Sequence, residues 1–344
     1  MKVIITTTIN VPHNLVEWAD TLEEGDNILV AGDQKSPHDE IDTVLNDISM
    51  NTDIVTEYFT PFAQSEWTSS DVIGWNCIQR RNIALLEAMQ LRPDWIITIN
   101  DDDLPTSMIQ FNDLFTSVHH PTPRNTISTT TGWWNPGSQC FPGVVHRGFP
   151  LSYRHAINRI ELDKVHENVK VGVAEMLIVG DPDVDAIERM CLAPVVEFIS
   201  SDVVLTPGTW APFNSEATAI RGELAPLLFQ WPGVGRYDDI WASYLARCVM
   251  DYFDWSVYYG GPAVRQDRNE HNLLTDLDAE LFGMRRNEEL IQVLRDVRFH
   301  GDITVVQAMI HAVNKVLAHC SWIPLQTRDA FYAWFTDLEK VGHK

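Results

Sequence analysis

Trp95-Ile96-Ile97-Thr98-Ile99-Asn100-Asp101-Asp102-Asp103 is the stretch on which the fold turns. A short, nearly continuous apolar run, rich in β-branched side chains, predicts a strand covered on both faces. Working backwards, the segment from Asn76 to Met89 carries Ile78, Asn82, Leu85, Leu86 and Met89 on roughly one helical face and stops before Pro93. Asn27-Ile28-Leu29-Val30-Ala31 reads as another strand, as does Val3-Ile4-Ile5 leading into Thr6-Thr7-Thr8. Between them Leu15, Trp18, Ala19 and Leu22 recur at helical spacing. This strand–helix alternation is the pattern of an α/β fold, a parallel sheet wound with helices. In such sheets ligands sit at the carboxyl ends of the strands. Asp33 and the triplet Asp101-Asp102-Asp103 both fall at ends of that kind.

Downstream the signal changes. The segment from Pro121 to Pro150 is rich in Pro, Gly, Trp and Thr without a period, and loops of that length tend to be functional. Val171 to Val179 and Val195 to Leu205 supply further strands. Beyond Gly301, the segments Thr304 to His319 and Thr327 to Val341 read as amphipathic helices. We expect a core over residues 1–283 and a C-terminal helical appendage over 284–344.

Lys and Arg total 25 against 48 Asp and Glu, a net charge of −23. A field of that sign disfavours non-specific nucleic-acid binding. A small anionic ligand requires a metal or local arginines. Five scattered cysteines without a CxxC pair suggest neither a disulfide framework nor a zinc site, so we expect a reducing, cytoplasmic setting. No apolar segment is long enough to span a bilayer.

Three adjacent carboxylates after an apolar strand repel one another unless a counter-charge joins them. In an extended chain Asp101 and Asp103 would point one way and Asp102 the other. Asp101 and Asp103 could then share Mn²⁺ or Mg²⁺ with diphosphate oxygens completing the shell. The structural alternative is a solvated loop, or a helix opening at Pro105. Asp33 sits where such a sheet would meet a nucleotide base; it could equally be a turn residue. Arg80 and Arg81 precede the triplet strand and are candidates for clamping a diphosphate, or for ion pairs. Trp133-Trp134 could stack on a sugar or base, or pack in the core.

Several segments occur in a telling order: the triplet; His146-Arg147-Gly148-Phe149-Pro150-Leu151-Ser152-Tyr153-Arg154; Pro182-Asp183-Val184-Asp185-Ala186; and Gly235-Arg236-Tyr237-Asp238-Asp239-Ile240-Trp241-Ala242. Together they resemble the reversibly glycosylated polypeptides of plants, which include the UDP-arabinopyranose mutases. That family carries an acidic triplet, an RGYPFSLR segment and a GRYDDMWAG segment. Gly32-Asp33-Gln34-Lys35-Ser36-Pro37, Arg81-Asn82 and Arg268-Asn269-Glu270-His271-Asn272-Leu273-Leu274 additionally resemble STELLO-type glycosyltransferase-like proteins. The resemblance spans roughly residues 3–283.

It implies a GT-A-like (Rossmann-like) nucleotide-sugar-binding core with a mixed, mainly parallel sheet, a UDP-sugar ligand and a divalent metal. The first arginine of RGYPFSLR is the one that becomes glycosylated, which places that role on Arg147, with Arg154 as the second arginine. A guanidinium stays protonated at ordinary pH, so attack would need a carboxylate to take its proton. Asp185, Asp238 and Asp239 are the candidates. Plain ion pairing of Arg147 and Arg154 is the alternative. His271 is the expected last metal ligand, or a structural histidine. Asp238 and Asp239 could also serve only as the start of a helix. The family's PMCGMNLAF segment is Pro212-Phe213-Asn214-Ser215-Glu216-Ala217-Thr218-Ala219-Ile220 here, changed at most polar positions.

Three functions follow. One is a mutase acting on a UDP-sugar. Another is a glycosyltransferase passing the sugar to a glycan, a protein or a hydroxymethylated base of viral DNA. The last is a non-catalytic nucleotide-sugar-binding partner. An oligomer is compatible with each.

Overall fold

The computed structural model describes residues 1–106, 124–155, 160–166, 169–192, 195–198, 201–266 and 271–342. One half of the sheet is parallel: β1 (Lys2–Thr8), β2 (Asn27–Gly32), β3 (Val55–Phe59) and β4 (Trp95–Thr98), in spatial order β3-β2-β1-β4. Every residue of β1, β2 and β4 is buried, which is why each reads as an unbroken run. The helices between them are α1 (Asn14–Ala19), α2 (His38–Asn51), the short α3 (Pro61–Gln64) and α4 (Thr68–Ile73), and α5 (Arg81–Gln90). A 3-10 turn at Ile78–Arg80 replaces the first part of the long helix predicted from Asn76. The sequence reading passed over α2, although Ile41, Val44, Leu45 and Ile48 are buried at helical spacing.

The other half is mixed. Its strands are β5 (Asp103–Pro105), β6 (Arg124–Thr129), β7 (Cys140–Phe141), β8 (Ile160–His166), β9 (Val171–Gly180), β10 (Glu197–Phe198), β11 (Ser201–Leu205), β12 (Thr218–Arg221) and β13 (Ser256–Gln266). The sheet continues β4-β12-β9-β13-β11-β6-β8, with β5 on the far end of β13, while β7 and β10 form a small separate ladder. β12 lies antiparallel between β4 and β9, whereas β13 runs parallel to β9. An α/β fold with a mixed sheet is therefore what the chain forms. The remaining helices are α6 (Ala186–Leu192), α7 (Asp238–Tyr252), α8 (Leu273–Arg295), α9 (Val305–His319) and α10 (Leu325–Val341). Arg159, Arg268 and Asn269, and the start of the Pro121–Pro150 loop, lie outside the described residues.

Helices do end the chain, but α8 runs unbroken through position 283. Its helical period does not pause where the family resemblance stops. Further on, α10 stacks Trp334 on Phe229 with centroids 4.7 Å apart and sets Phe331 edge-on to Trp231 at 5.0 Å. It also caps α4: the fully buried Asp337 carboxylate accepts from Thr68 N at 2.9 Å and Ser69 N at 2.7 Å. Burial works against that charge, but these amides and Lys340 outweigh it and hold the Asp337 carboxyl below its ordinary range. Asp337→Asn should cost about 1 kcal/mol at pH 7. A carboxyl depressed in the folded state stabilises above its unfolded pKa, so the difference should close as pH falls below about 4. Urea midpoints of both proteins at pH 7 and pH 3 check this; an equal gap at both would contradict it.

Candidate functional site

A cleft of about 530 Å³ opens at the carboxyl ends of β1 and β4, where this sheet geometry should place a ligand. Thr7, Asn100, Asp101 and Asp102 form one wall; Ser215 and Glu216, just before β12, lie in it too. Gln230, Gly235 and Arg236 come from the approach to α7, Asp238 and Asp239 from its first turn, Gln79 from the 3-10 turn, and Gln266, His271 and Ala279 from the end of β13 onward. Gly235 adopts φ +68°, and a Cβ there would sit 2.1 Å from the Ala279 carbonyl oxygen. Only glycine lets the chain pass α8 so closely into the site.

The triplet is not extended as predicted. β4 ends at Thr98 and a turn carries Asn100 to Asp102, so strict alternation fails. Asp101 and Asp102 line the cleft. Asp101 Oδ2 accepts from Thr8 Oγ1 at 2.5 Å and Asn10 Nδ2 at 2.9 Å, and Asp102 Oδ1 accepts from Gln266 Nε2 at 3.3 Å. Asp103 is fully buried behind them, where its Oδ2 accepts from Asn100 N at 2.7 Å and closes the turn. Burial pushes its carboxyl up to about 7. The side chain of Asp103, expected as a metal ligand, holds this turn and is not among the residues lining the cleft.

At the other wall stands Arg147, buried, with its donors committed. Nε and NH2 donate to Asp183 at 2.7 and 3.0 Å, NH1 and NH2 to Asp239 at 2.9 and 3.0 Å, and NH1 also to the Arg236 carbonyl. Burial opposes the guanidinium charge, but Asp183 and Asp239 outweigh it and hold the pKa well above its ordinary value. Asp183 is itself held well below the usual carboxylate range: burial raises it, and Arg147 overrides that. Beside this pair, His146 places Nε2 2.9 Å from Glu175 and Nδ1 2.8 Å from the Arg147 carbonyl. Burial alone would lower the imidazolium; Glu175 and Asp183 reverse this and push it up to about 9.

Asp238 and Asp239 open α7, where carboxylates favour the positive end of the helix dipole. Asp239 also accepts from Ser215 N at 3.1 Å and Ser215 Oγ at 3.2 Å. Asp238 accepts from Gln79 Nε2 at 2.6 Å, and burial, then the neighbouring Asp239, push it up to about 7. Such a carboxyl can hold or release a proton near neutrality. Arg236, which the sequence reading did not single out, joins the cleft with Nε 3.2 Å from Glu280.

Of the predicted residues, the fold gathers Asp101, Asp102, Arg147, Asp238, Asp239 and His271 into one cleft. Others it withholds. Arg80 is fully buried, stacked 3.8 Å from the Trp75 ring and donating to Gln64 Oε1 at 2.9 Å. Arg81 binds Ser215 O at 2.7 Å and Ile99 O at 2.8 Å beneath the floor. Asp33 accepts from Gln34 N at 2.6 Å, Asn76 N at 2.7 Å and Cys77 N at 3.0 Å, so its oxygens hold the local backbone. Asp185 pairs with Arg154 and accepts from Glu188 N at 2.9 Å, capping α6. Trp133 is core, edge-on to Trp210 at 6.2 Å with Arg295 4.3 Å over its face. In each case burial is matched, at least in part, by local protein partners.

Among the described residues, no cluster of three or more His, Cys, Asp or Glu is arranged to hold a metal ion. Asp101 and Asp102 nonetheless offer hard carboxylate oxygens, of the kind that suits Mg²⁺ or Mn²⁺, to the cleft that His271 also lines. His271 Nδ1 lies 3.1 Å from Asp276 Oδ2.

Fold and cleft define an α/β protein with a mixed sheet and a polar cleft at the strand ends. By sequence the chain is similar to UDP-arabinopyranose mutase 3 of Arabidopsis thaliana, 25% identical over 169 residues, covering 47% of this chain and 43% of the relative. It is likewise similar to probable UDP-arabinopyranose mutase 1 of Pisum sativum, 25% identical over 209 residues, 57% and 54% respectively. The chain spans about half the length of the curated relatives it matches. No family model matches. In structure it is similar to S. aureus TarS 1-349 crystallised with UDP-GlcNAc, at TM-score 0.45 and 11% identity, covering 99% of this chain and 80% of that one.

Proposed function

We propose that the protein is a metal-dependent nucleotide-sugar enzyme acting on a UDP-sugar, mutase-like in its chemistry. One observation carries this reading: cleft-facing Asp101 and Asp102 at one wall and the buried Arg147–Asp239 pair with Asp238 at the other. The similarity to UDP-arabinopyranose mutases supports it. Asp101 and Asp102 are the residues we place on Mn²⁺ or Mg²⁺, with His271 lining the same cleft, and a metal bound there would neutralise a leaving diphosphate. The diphosphate lies toward Asp101 and Asp102, and the sugar toward Asp238 and Asp239.

Isomerisation requires the anomeric bond to UDP to break and re-form. The ring also opens and closes on a different hydroxyl, with one hydroxyl proton given up and another regained. Asp238 is the group we place on that proton. Arg147, with every N–H committed and its charge fixed, acts as an electrostatic anchor and not as the attacking atom. Asp239 orients it and ties it to Ser215. Among the described residues no helix is long and apolar enough to cross a membrane.

A second reading is favoured by Ser215 and Glu216, which line the cleft in the segment where the family's polar pattern is not kept. There the sugar passes to an acceptor: a glycan, a protein or a modified base. Incubation with UDP-arabinopyranose, Mn²⁺ and no acceptor, followed by resolution of products, separates the cases. A furanose product supports the mutase, and sugar found only on an added acceptor supports the transferase. Binding without turnover leaves a nucleotide-sugar-binding partner. In the active cases kcat/KM should rise with pH through about 7, because the ionised form of Asp238 is the base. Asp238→Asn should remove that limb and lower kcat about 10²–10⁴-fold.

A further inference from the structure

Resting on the nucleotide-sugar reading, we infer that Gln230 is a specificity-determining residue that accepts a hydrogen bond from an O–H or N–H of the sugar. Gln230 lines the cleft and is 2% exposed. Its backbone is clamped at both ends by Asn82, whose Oδ1 accepts from Gln230 N at 2.8 Å and whose Nδ2 donates to Gln230 O at 2.8 Å. The orientation of its amide is fixed as well. Ser215 Oγ donates to Asp239 Oδ2 at 3.2 Å, so it can only accept from Gln230, at 2.6 Å, and the group facing it must be the NH₂. Gln230 Oε1 is therefore the other end, buried and without a hydrogen-bond partner among the described residues.

A buried acceptor left unmatched costs free energy, and a rigidly held one cannot turn away to relieve it. A ligand in the cleft that Gln230 lines would satisfy this atom by bringing a donor to it. Gln230 is one hydroxyl removed from Asp239, on the wall given to the sugar and away from Asp101 and Asp102. The class of ligand group is thus a sugar hydroxyl or amino hydrogen, not a phosphate oxygen, which offers only acceptors. A site built this way discriminates steeply against an analogue lacking the donor.

Calorimetric titration in Mn²⁺ of wild type, Gln230→Met and Gln230→Glu with UDP, UDP-arabinopyranose, UDP-xylose, UDP-glucose and UDP-GlcNAc tests it. We expect at least one UDP-sugar to bind wild type tighter than UDP. Gln230→Met should weaken that sugar by about 10-fold or more while UDP stays within about 2-fold. Gln230→Glu keeps an acceptor for the sugar but loses the NH₂ that donates to Ser215, so it should recover part of the loss. UDP affinity doubles as a check that each variant is folded. Equal weakening of UDP and UDP-sugar, no weakening, no rescue by glutamate, or no sugar tighter than UDP would each overturn the subsite. If wild type binds no UDP at all, the nucleotide-sugar reading fails and takes the subsite with it.

Discussion

Arg147→Met should destabilise the protein by about 3–5 kcal/mol, because it leaves Asp183 and Asp239 buried without their cation. The reasoning is asymmetric. A buried ion pair adds little net stability over an apolar pair, but removing one partner exposes the full desolvation cost of the other. Here one guanidinium serves two carboxylates, so both are stranded together. Arg147→Lys keeps the charge yet cannot reproduce the planar fork that reaches Asp183, Asp239 and the Arg236 carbonyl at once. It should therefore restore only part of the stability. Urea unfolding at pH 7 measures both variants. If Arg147→Met unfolds within about 1 kcal/mol of wild type, the buried pair does not organise this wall.

The second large effect belongs to Asp102. Asp102→Asn should lower UDP-sugar affinity in Mn²⁺ by about 100-fold or more and flatten its dependence on metal concentration. Asp102 is partly exposed in the cleft, so the fold should tolerate the change. Asp103→Asn should behave differently. Its carboxyl closes the turn through Asn100 N, and the substitution should show first as lost stability. Parallel titrations and melting curves separate the two. Unchanged metal dependence in Asp102→Asn would remove the metal from this corner.

These contrasts show where the sequence was legible. β1, β2 and β4 were readable because strands buried on both faces need apolar residues at every position. Their ends then located Asp101 and Asp102. Asp103 misled because alternation holds only while the chain stays extended, and the turn after Thr98 breaks it. Arg80 and Arg81 illustrate a second limit: a sequence shows a charge but not the distant Gln64 or Ser215 that absorbs it. Asp183 and Asp185 sit two residues apart in one motif. Only the fold reveals that the first faces Arg147 while the second caps α6. Gln230 was invisible for the same reason, since its meaning lies in Asn82 and Ser215, far away along the chain.

The last helix has a consequence for how the molecule would be handled. α10 grips the segment behind Gln230 at several points: Trp334 on Phe229, Phe331 on Trp231, and Thr327 Oγ1 donating to Pro232 O at 2.5 Å. Whatever steadies that segment from the cleft side also discourages the tail from peeling away, since the two share one set of contacts. Digestion of the C-terminus by a protease would then slow when the cleft is filled, and clipping it would loosen the grip on a substrate some distance from the cut.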